Sequence, residues 1–134
     1  MIGQDFTVGS TGFVNYFPSS ERTARNIREA YEKHGDDIII LDGEDDWYAD
    51  PIFNVSGILK DIGVCALDDF HIGISGMSKS GKVLKKEDLP KVIEYVKHFA
   101  PHYVTHGRSA RWRLAYYDRD KEQWCVLVKR EWDD

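Results

Sequence analysis

Hydrophobic and polar positions alternate most clearly near the C-terminal end of the chain. Residues 108–132 read RSARWRLAYYDRDKEQWCVLVKREW, where two aromatic and β-branched runs flank a charged, turn-prone DRDKEQ. This pattern predicts two antiparallel strands joined in a β-hairpin. The expected register places Tyr116 opposite Trp124, because a one-residue shift would mix the apolar and charged faces. One face is then a wall of the core, made of Trp112, Leu114, Tyr116, Trp124, Val126 and Val128.

Three other stretches carry apolar residues at helical spacing. The first follows the Ser-Ser pair at 19–20, either of which can cap a helix, and it ends at a glycine. The second starts at the Asp-Pro pair at 50–51, although Gly57 leaves a strand over residues 52–56 as an alternative. The third starts after Asp88. Their buried stripes are Ala24, Ile27, Tyr31 and His34; Ile52, Val55, Leu59 and Ile62; and Leu89, Val92, Ile93, Val96 and Phe99.

Shorter runs predict the remaining strands. Residues 12–17 and 70–76 alternate, and the all-apolar run at 38–41 is typical of a strand buried on both faces. Residues 77–82 are predicted to form a turn, and residues 1–11 a loose tail or short edge segment. The order β-α-β-(α)-β-α-β-β predicts an α+β fold. We expect a single two-layer domain over residues 1–134, with a mixed sheet of about five strands, two or three helices largely on one face, and a C-terminal antiparallel β-hairpin.

Composition restricts the possible partners. The 134 residues are 42% hydrophobic and 31% charged, as in a globular domain, and the net charge of −5 gives no global attraction to nucleic acid or anionic membrane. No apolar run approaches the length of a membrane span, and the first residues lack the features of a signal peptide. The two cysteines, Cys65 and Cys125, are expected to be free thiols, which favours a cytoplasmic protein.

Two motifs resemble sites for a cofactor or a metal. Residues 76–82 match the G-x-x-x-x-G-K of a phosphate-binding loop, but Val83 follows where a Ser or Thr is needed to hold Mg²⁺. His98, His102 and His106 have metal-binding spacing on one helix, but a proline at 101 interrupts that helix. We therefore expect neither a cofactor nor a metal site. No catalytic constellation stands out, so an enzyme is the less favoured interpretation.

Two charged surfaces are the candidate binding sites. The first is an acidic loop with aromatic side chains, which suits a basic partner. The second is the outer face of the hairpin, where arginines alternate with a tyrosine and could hold phosphates and stacked bases. The predicted acidic site is Asp42, Glu44, Asp45, Asp46, Trp47, Tyr48 and Asp50. The predicted basic site is Arg108, Arg111, Arg113, Tyr117, Lys129 and Arg130.

These features predict a non-enzymatic macromolecule-binding protein. Its size and composition are similar to those of small phage or mobile-element accessory and inhibitor proteins, so we expect a protein partner, itself nucleic-acid-binding, that meets the acidic and aromatic surface. Two alternatives stay open. One is direct binding of nucleic acid through the arginine face. The other is a nucleotide-like ligand, or a small enzyme, that uses the face around His71, Gly73 and Ser75, where small side chains permit close approach.

Overall fold

A six-stranded antiparallel sheet organises the chain in a computed structural model. The structure describes residues 4–8, 17–18, 20–43, 54–71, 80–99 and 112–132. For residues 4–8, 71, 80, 112–113 and 129–132 it describes the backbone alone. The strands are β1 (Gln4–Val8), β2 (Ile38–Asp42), β3 (Asp68–His71), β4 (Ser80–Lys85), β5 (Trp112–Asp118) and β6 (Gln123–Trp132). The helices are α1 (Glu21–His34), α2 (Val55–Ile62) and α3 (Leu89–Phe99).

The helix boundaries follow local capping chemistry. Ser20 caps α1, since its Oγ accepts a hydrogen bond from the Thr23 amide at 3.2 Å, and Gly35 ends the helix with a φ of 88°. Helix α2 begins after Asn54, whose side chain accepts from the Gly57 amide at 3.0 Å. The predicted helix is therefore confirmed over Val55–Ile62, while its expected start at 50–51 lies outside the described residues.

The strands run in the spatial order β1-β6-β5-β2-β4-β3. The α+β class, the helices and the C-terminal hairpin are confirmed, but every described strand pair is antiparallel, which differs from the expected mixed sheet. Strand β4 begins at Ser80, so the last three residues of the predicted turn belong to the sheet. The segment expected to be loose or an edge supplies edge strand β1. The strand predicted over 12–17 lies outside the described residues, apart from exposed, non-strand Phe17.

The hairpin register is shifted by one residue from the predicted one. Tyr117, not Tyr116, lies opposite Trp124, and Tyr116 lies opposite Cys125. A β-bulge between Leu114 and Ala115 shifts the register by one further residue, so that Leu114 pairs with Val128. The two hairpin faces are thus different from the predicted ones: Ala115, Tyr117, Trp124 and Val126 belong to one core cluster, and Leu114, Tyr116, Leu127 and Val128 to the other.

Both faces of the sheet are covered. Helix α1 packs on one face through Ile27 and Tyr31, and α2 and α3 pack on the opposite face through residues that include Ile58 and Val96. The expected arrangement had helices largely on one face. The reason for the difference is that strand β2 and both sides of the hairpin are apolar, and each exposed apolar face would cost free energy in water. None of the described helices has the length and apolar composition that crossing a membrane requires.

Gly81 shows how closely the central strands approach one another. A methyl group at this position would lie 2.7 Å from the backbone oxygen of Phe70 in β3 and 2.9 Å from that of Leu41 in β2. Both contacts are shorter than side-chain carbons normally make with backbone oxygens. A glycine is therefore required where β4 passes between its two neighbours.

We expect Gly81→Ala to lower the free energy of unfolding by about 1–3 kcal/mol, because the added methyl group would overlap backbone atoms that cannot move without distorting the sheet. The matched control is Gly57→Ala in α2, where the nearest atom outside the helix backbone would lie 3.6 Å away. That control should be neutral or stabilising by up to about 1 kcal/mol, since alanine favours helix. Chemical denaturation of both variants makes the comparison. An equal effect at the two glycines would contradict the close approach of the strands.

Candidate functional site

The predicted acidic site is described at one residue. Asp42 ends β2, opposite Ala115, and is only 3% exposed, so it belongs to the sheet and not to a solvated loop. The remaining predicted residues lie outside the described part of the chain: Glu44, Asp45, Asp46, Trp47, Tyr48 and Asp50. The acidic loop itself therefore stays a prediction.

The predicted basic site is divided by the structure. Tyr117 is buried under α1, so it is not available on an outer face. The backbone register pairs Arg113 with Lys129, and places Arg130 opposite Trp112. Arg108 and Arg111 lie outside the described residues, and the site as a whole stays a prediction.

The alternative face and the histidine motif also fall largely outside the described chain. His71 is the last residue of β3, whereas Gly73 and Ser75 are outside the description, as are His102 and His106. Gly81 and Lys82 lie within strand β4, which is incompatible with a phosphate-binding loop at this position. Among the described residues, no three His, Cys, Asp or Glu side chains gather closely enough to hold a metal ion.

The most developed site in the described residues is a cleft between the C-terminal part of α1 and the turn of the β5–β6 hairpin. It consists of two adjoining cavities, of about 410 and 440 Å³, that share Tyr31, Asp36, Tyr117 and Arg119. We call this feature the hairpin cleft. Tyr31 comes from α1, Asp36 from the link between α1 and β2, and the other two residues from the hairpin.

The hairpin turn has a defined conformation. The Asp118 carboxylate accepts hydrogen bonds from the backbone amides of Asp120 and Lys121, at 3.0 and 3.3 Å. The Glu122 amide donates to the Arg119 carbonyl at 3.3 Å, and Glu122 has a left-handed φ of 53°. These bonds fix the backbone of Arg119 at the mouth of the cleft.

Two tyrosine rings line the cleft. Tyr31 and Tyr117 are 8% and 7% exposed, and their ring centroids are 6.5 Å apart. Behind them, Tyr117 makes an edge-to-face contact with Trp124 at 5.4 Å. Burial raises the pKa of Tyr31 to about 12 and also raises that of Tyr117. Both phenols are therefore neutral at physiological pH.

Arg119 covers the Tyr31 ring. Its Cζ atom lies 4.6 Å from the ring centroid, and its guanidinium donates to the carboxylate of Asp36. The hydrogen bond to Asp36 raises the pKa of Arg119 further above its already high value. An aromatic face and a carboxylate together form a suitable binding site for a guanidinium group. We call this binding site, formed by Tyr31 and Asp36, the Tyr31–Asp36 seat.

The lining of the hairpin cleft is acidic overall. Its carboxylates outnumber its cationic side chains by five to three. The carboxylates are Glu32, Asp36, Asp118, Asp120 and Glu122, and the cations are Arg28, Lys86 and Arg119. The combination of aromatic rings and excess carboxylate favours cationic ligands over anionic ones.

A second open groove lies between α1 and edge strand β3, with a volume of about 600 Å³. Asp68 links strand β3 to helix α1 across this groove, since its carboxylate lies 3.0 Å from both Lys33 Nζ and His34 Nε2. The same side chain accepts from the Asp69 amide at 2.9 Å, and Asp69 pairs with Lys82. The charges around Asp68 and Asp69 are thus already paired within the protein, which makes this groove the weaker candidate.

The chain matches no protein-family model, and comparisons with curated proteins and with solved structures found no significant match.

Sequence reasoning did not identify the hairpin cleft. It placed Tyr31 in the buried stripe of α1 and Arg119 in a charged turn, without connecting them. Asp36 and Arg119 are 83 positions apart, and no local pattern signals a contact over that distance. The only sequence feature that points to this cleft is the high proportion of charged residues in the turn DRDKEQ.

The Asp68 ion pairs predict a specific acid sensitivity. Hydrogen bonds from His34 and Lys33, with the Asp69 amide, lower the pKa of Asp68 from 3.8 to about 2. A carboxyl whose pKa is lower in the folded state stabilises the fold above its unfolded pKa, and this contribution is lost as pH falls through the folded pKa. The carboxyl is 37% exposed, so solvent screening limits its contribution to about 1 kcal/mol or less.

We therefore expect Asp68→Asn to lower the unfolding free energy slightly at neutral pH, and the difference from wild type to disappear between about pH 4 and pH 2. Denaturation at a series of pH values measures this. Asp120→Asn, at an exposed position in the hairpin turn, controls for the loss of one carboxylate. A difference that persists unchanged into strong acid would contradict the assigned ion pairs.

Proposed function

We propose that this protein binds a basic protein partner through the acidic, aromatic hairpin cleft, and that it acts by association without turnover. The observation that carries the proposal is the seat formed by Tyr31 and Asp36, which already holds a guanidinium group, that of Arg119. A surface that accommodates its own arginine side chain has the chemistry needed to accept one from another protein.

The charge of the chain supports the same kind of partner. The net charge of −5 and the acidic lining both attract a cationic surface and steer its approach. Many basic surfaces serve to bind nucleic acid. Carboxylates placed over such a surface would take the positions of phosphates, so we propose a nucleic-acid-binding protein as the partner and inhibition as the outcome. A small accessory protein acting in the cytoplasm is consistent with this function.

The predicted acidic loop would extend the same activity. Strand β2 begins next to Asp36 and ends at Asp42, where that loop starts. At about 3.3 Å per residue, the length of strand β2 would separate the two acidic patches by roughly 15 Å. A partner could contact both ends of the strand. We propose the hairpin cleft as the principal site because it already binds a guanidinium group.

Binding of nucleic acid through the arginine face is the competing function. The pairing of Arg113 with Lys129 across β5 and β6 favours it, because it brings two basic residues to the same position in the sheet. This function and the proposed one respond oppositely to charge changes, so one set of variants separates them.

The test uses two pairs of charge-neutralising substitutions and a short arginine-containing peptide as the probe. Glu32→Gln with Asp120→Asn removes two carboxylates from the cleft, and Glu29→Gln with Glu94→Gln removes two exposed carboxylates outside it. We expect the cleft pair to weaken peptide binding roughly three- to tenfold at low salt, and the control pair to change it less than twofold. Isothermal titration calorimetry at low and high salt measures both.

Equal effects from the two pairs would contradict a site in the cleft. Tight binding of a single-stranded oligonucleotide, lost when Arg111 and Arg113 are replaced by glutamine, would instead establish the competing nucleic-acid function.

A further inference from the structure

Arg119 is held at the mouth of the hairpin cleft by contacts that are easily broken. Its side chain is 52% exposed and that of its partner Asp36 is 82% exposed. An ion pair between two such exposed groups is screened by water and salt, and contributes little to stability. The backbone of Arg119 is fixed by the turn, but its side chain can leave the Tyr31 ring without disturbing the core.

The surface beneath Arg119 is, in contrast, rigid. Tyr31 packs against Tyr117 and shares its core cluster with Ile27 and Trp124. Tyr31 is only 8% exposed with the arginine in place, although the arginine side chain itself is half exposed. Movement of Arg119 would therefore expose a preorganised aromatic face beside the Asp36 carboxylate. Preorganised sites bind with a smaller entropic cost than sites that must be assembled.

A partner arginine would find the same two contacts and additional carboxylates nearby, those of Glu32 and Glu122. A planar guanidinium can stack on a ring and pair with a carboxylate at the same time, whereas a lysine ammonium matches this geometry less well. The seat therefore discriminates between the two kinds of basic residue.

From these contacts we propose that Arg119 is a built-in occupant of the Tyr31–Asp36 seat, and that an arginine side chain of the partner protein displaces it on binding. This inference rests on the proposed function and adds a regulatory element to it. The internal arginine lowers the apparent affinity of the cleft, because the open state is only a fraction of the population. Arg119 thereby limits binding to partners whose arginine side chain can displace it from the Tyr31–Asp36 seat.

The experiment compares Arg119→Gln with Arg28→Gln. Both remove one positive charge from the cleft lining, but only the first vacates the Tyr31 ring. The probe is a blocked peptide of alternating glycine and arginine, and a second peptide carries lysine in place of arginine. We expect Arg119→Gln to bind the arginine peptide about three- to tenfold more tightly than wild type, and to gain distinctly more than Arg28→Gln does.

The lysine peptide should show equal, smaller gains with both variants, since it reports the change in charge alone. Adding Tyr31→Leu to Arg119→Gln should remove the excess gain for the arginine peptide. Because that double variant also removes core contacts of Tyr31, ring-proton chemical shifts of Tyr31 in the folded single variant provide a second readout. These resonances should move when Arg119 is replaced, and again when the arginine peptide is added.

The outcomes separate the two proposals. If Arg119→Gln and Arg28→Gln raise the affinity for the arginine peptide equally, Arg119 is not an occupant of the seat. If binding of that peptide still depends on Glu32 and Asp120, the proposed function stands all the same. If neither wild type nor Arg119→Gln binds the arginine peptide, both proposals are overturned.

Discussion

The apolar side chains of strand β2 leave no face of the sheet that can be turned toward water. Residues Ile38 to Leu41 are all less than 5% exposed, with Ile38 and Ile40 on the side of α1 and Ile39 and Leu41 on the side of α2 and α3. Covering both sides of this strand requires helices on both sides of the sheet. The rest of the architecture depends on that requirement, since the neighbouring hairpin is then also buried on both faces.

Double burial also determines where the hairpin can contribute to a site. Away from its turn, the described side chains of β5 and β6 are enclosed between the helices, so they are unavailable to a partner. At the turn, Arg119 lies over the Tyr31 ring of α1. The hairpin cleft therefore forms where the core ends, with core aromatic rings as its lining and charged turn residues at its mouth.

This position explains why the cleft combines a buried aromatic lining with an exposed, charged cover. Tyr31 and Tyr117 are held by the same packing that stabilises the fold. A substitution that removes either ring therefore changes the cleft and the stability of the fold together. Asp36, Arg119 and Glu122 lie on connecting segments and can change without loss of the core. For the proposed binding function, specificity would therefore depend on the connecting segments, while the aromatic lining is retained.

Elements with local signals can be predicted from the sequence. Ser20 and Gly35 define α1 through capping, the apolar run at 38–41 defines a strand buried on both faces, and the residues flanking DRDKEQ define a hairpin. The α+β class follows from these elements. The acidic loop and the arginine face stay predictions from the charge pattern of the sequence.

Features that depend on pairing between distant residues emerge only in the folded chain. The register of the hairpin places Tyr117 opposite Trp124 and in the core cluster of α1, not on the predicted outer face, and the turn sequence does not signal this one-residue difference. The position of β4 between β2 and β3 made Gly81 a packing requirement where a turn was expected. The seat of Arg119 on Tyr31 and Asp36 depends on contacts between the hairpin turn and the end of α1, which are set by the order of strands in the sheet and not by any local pattern.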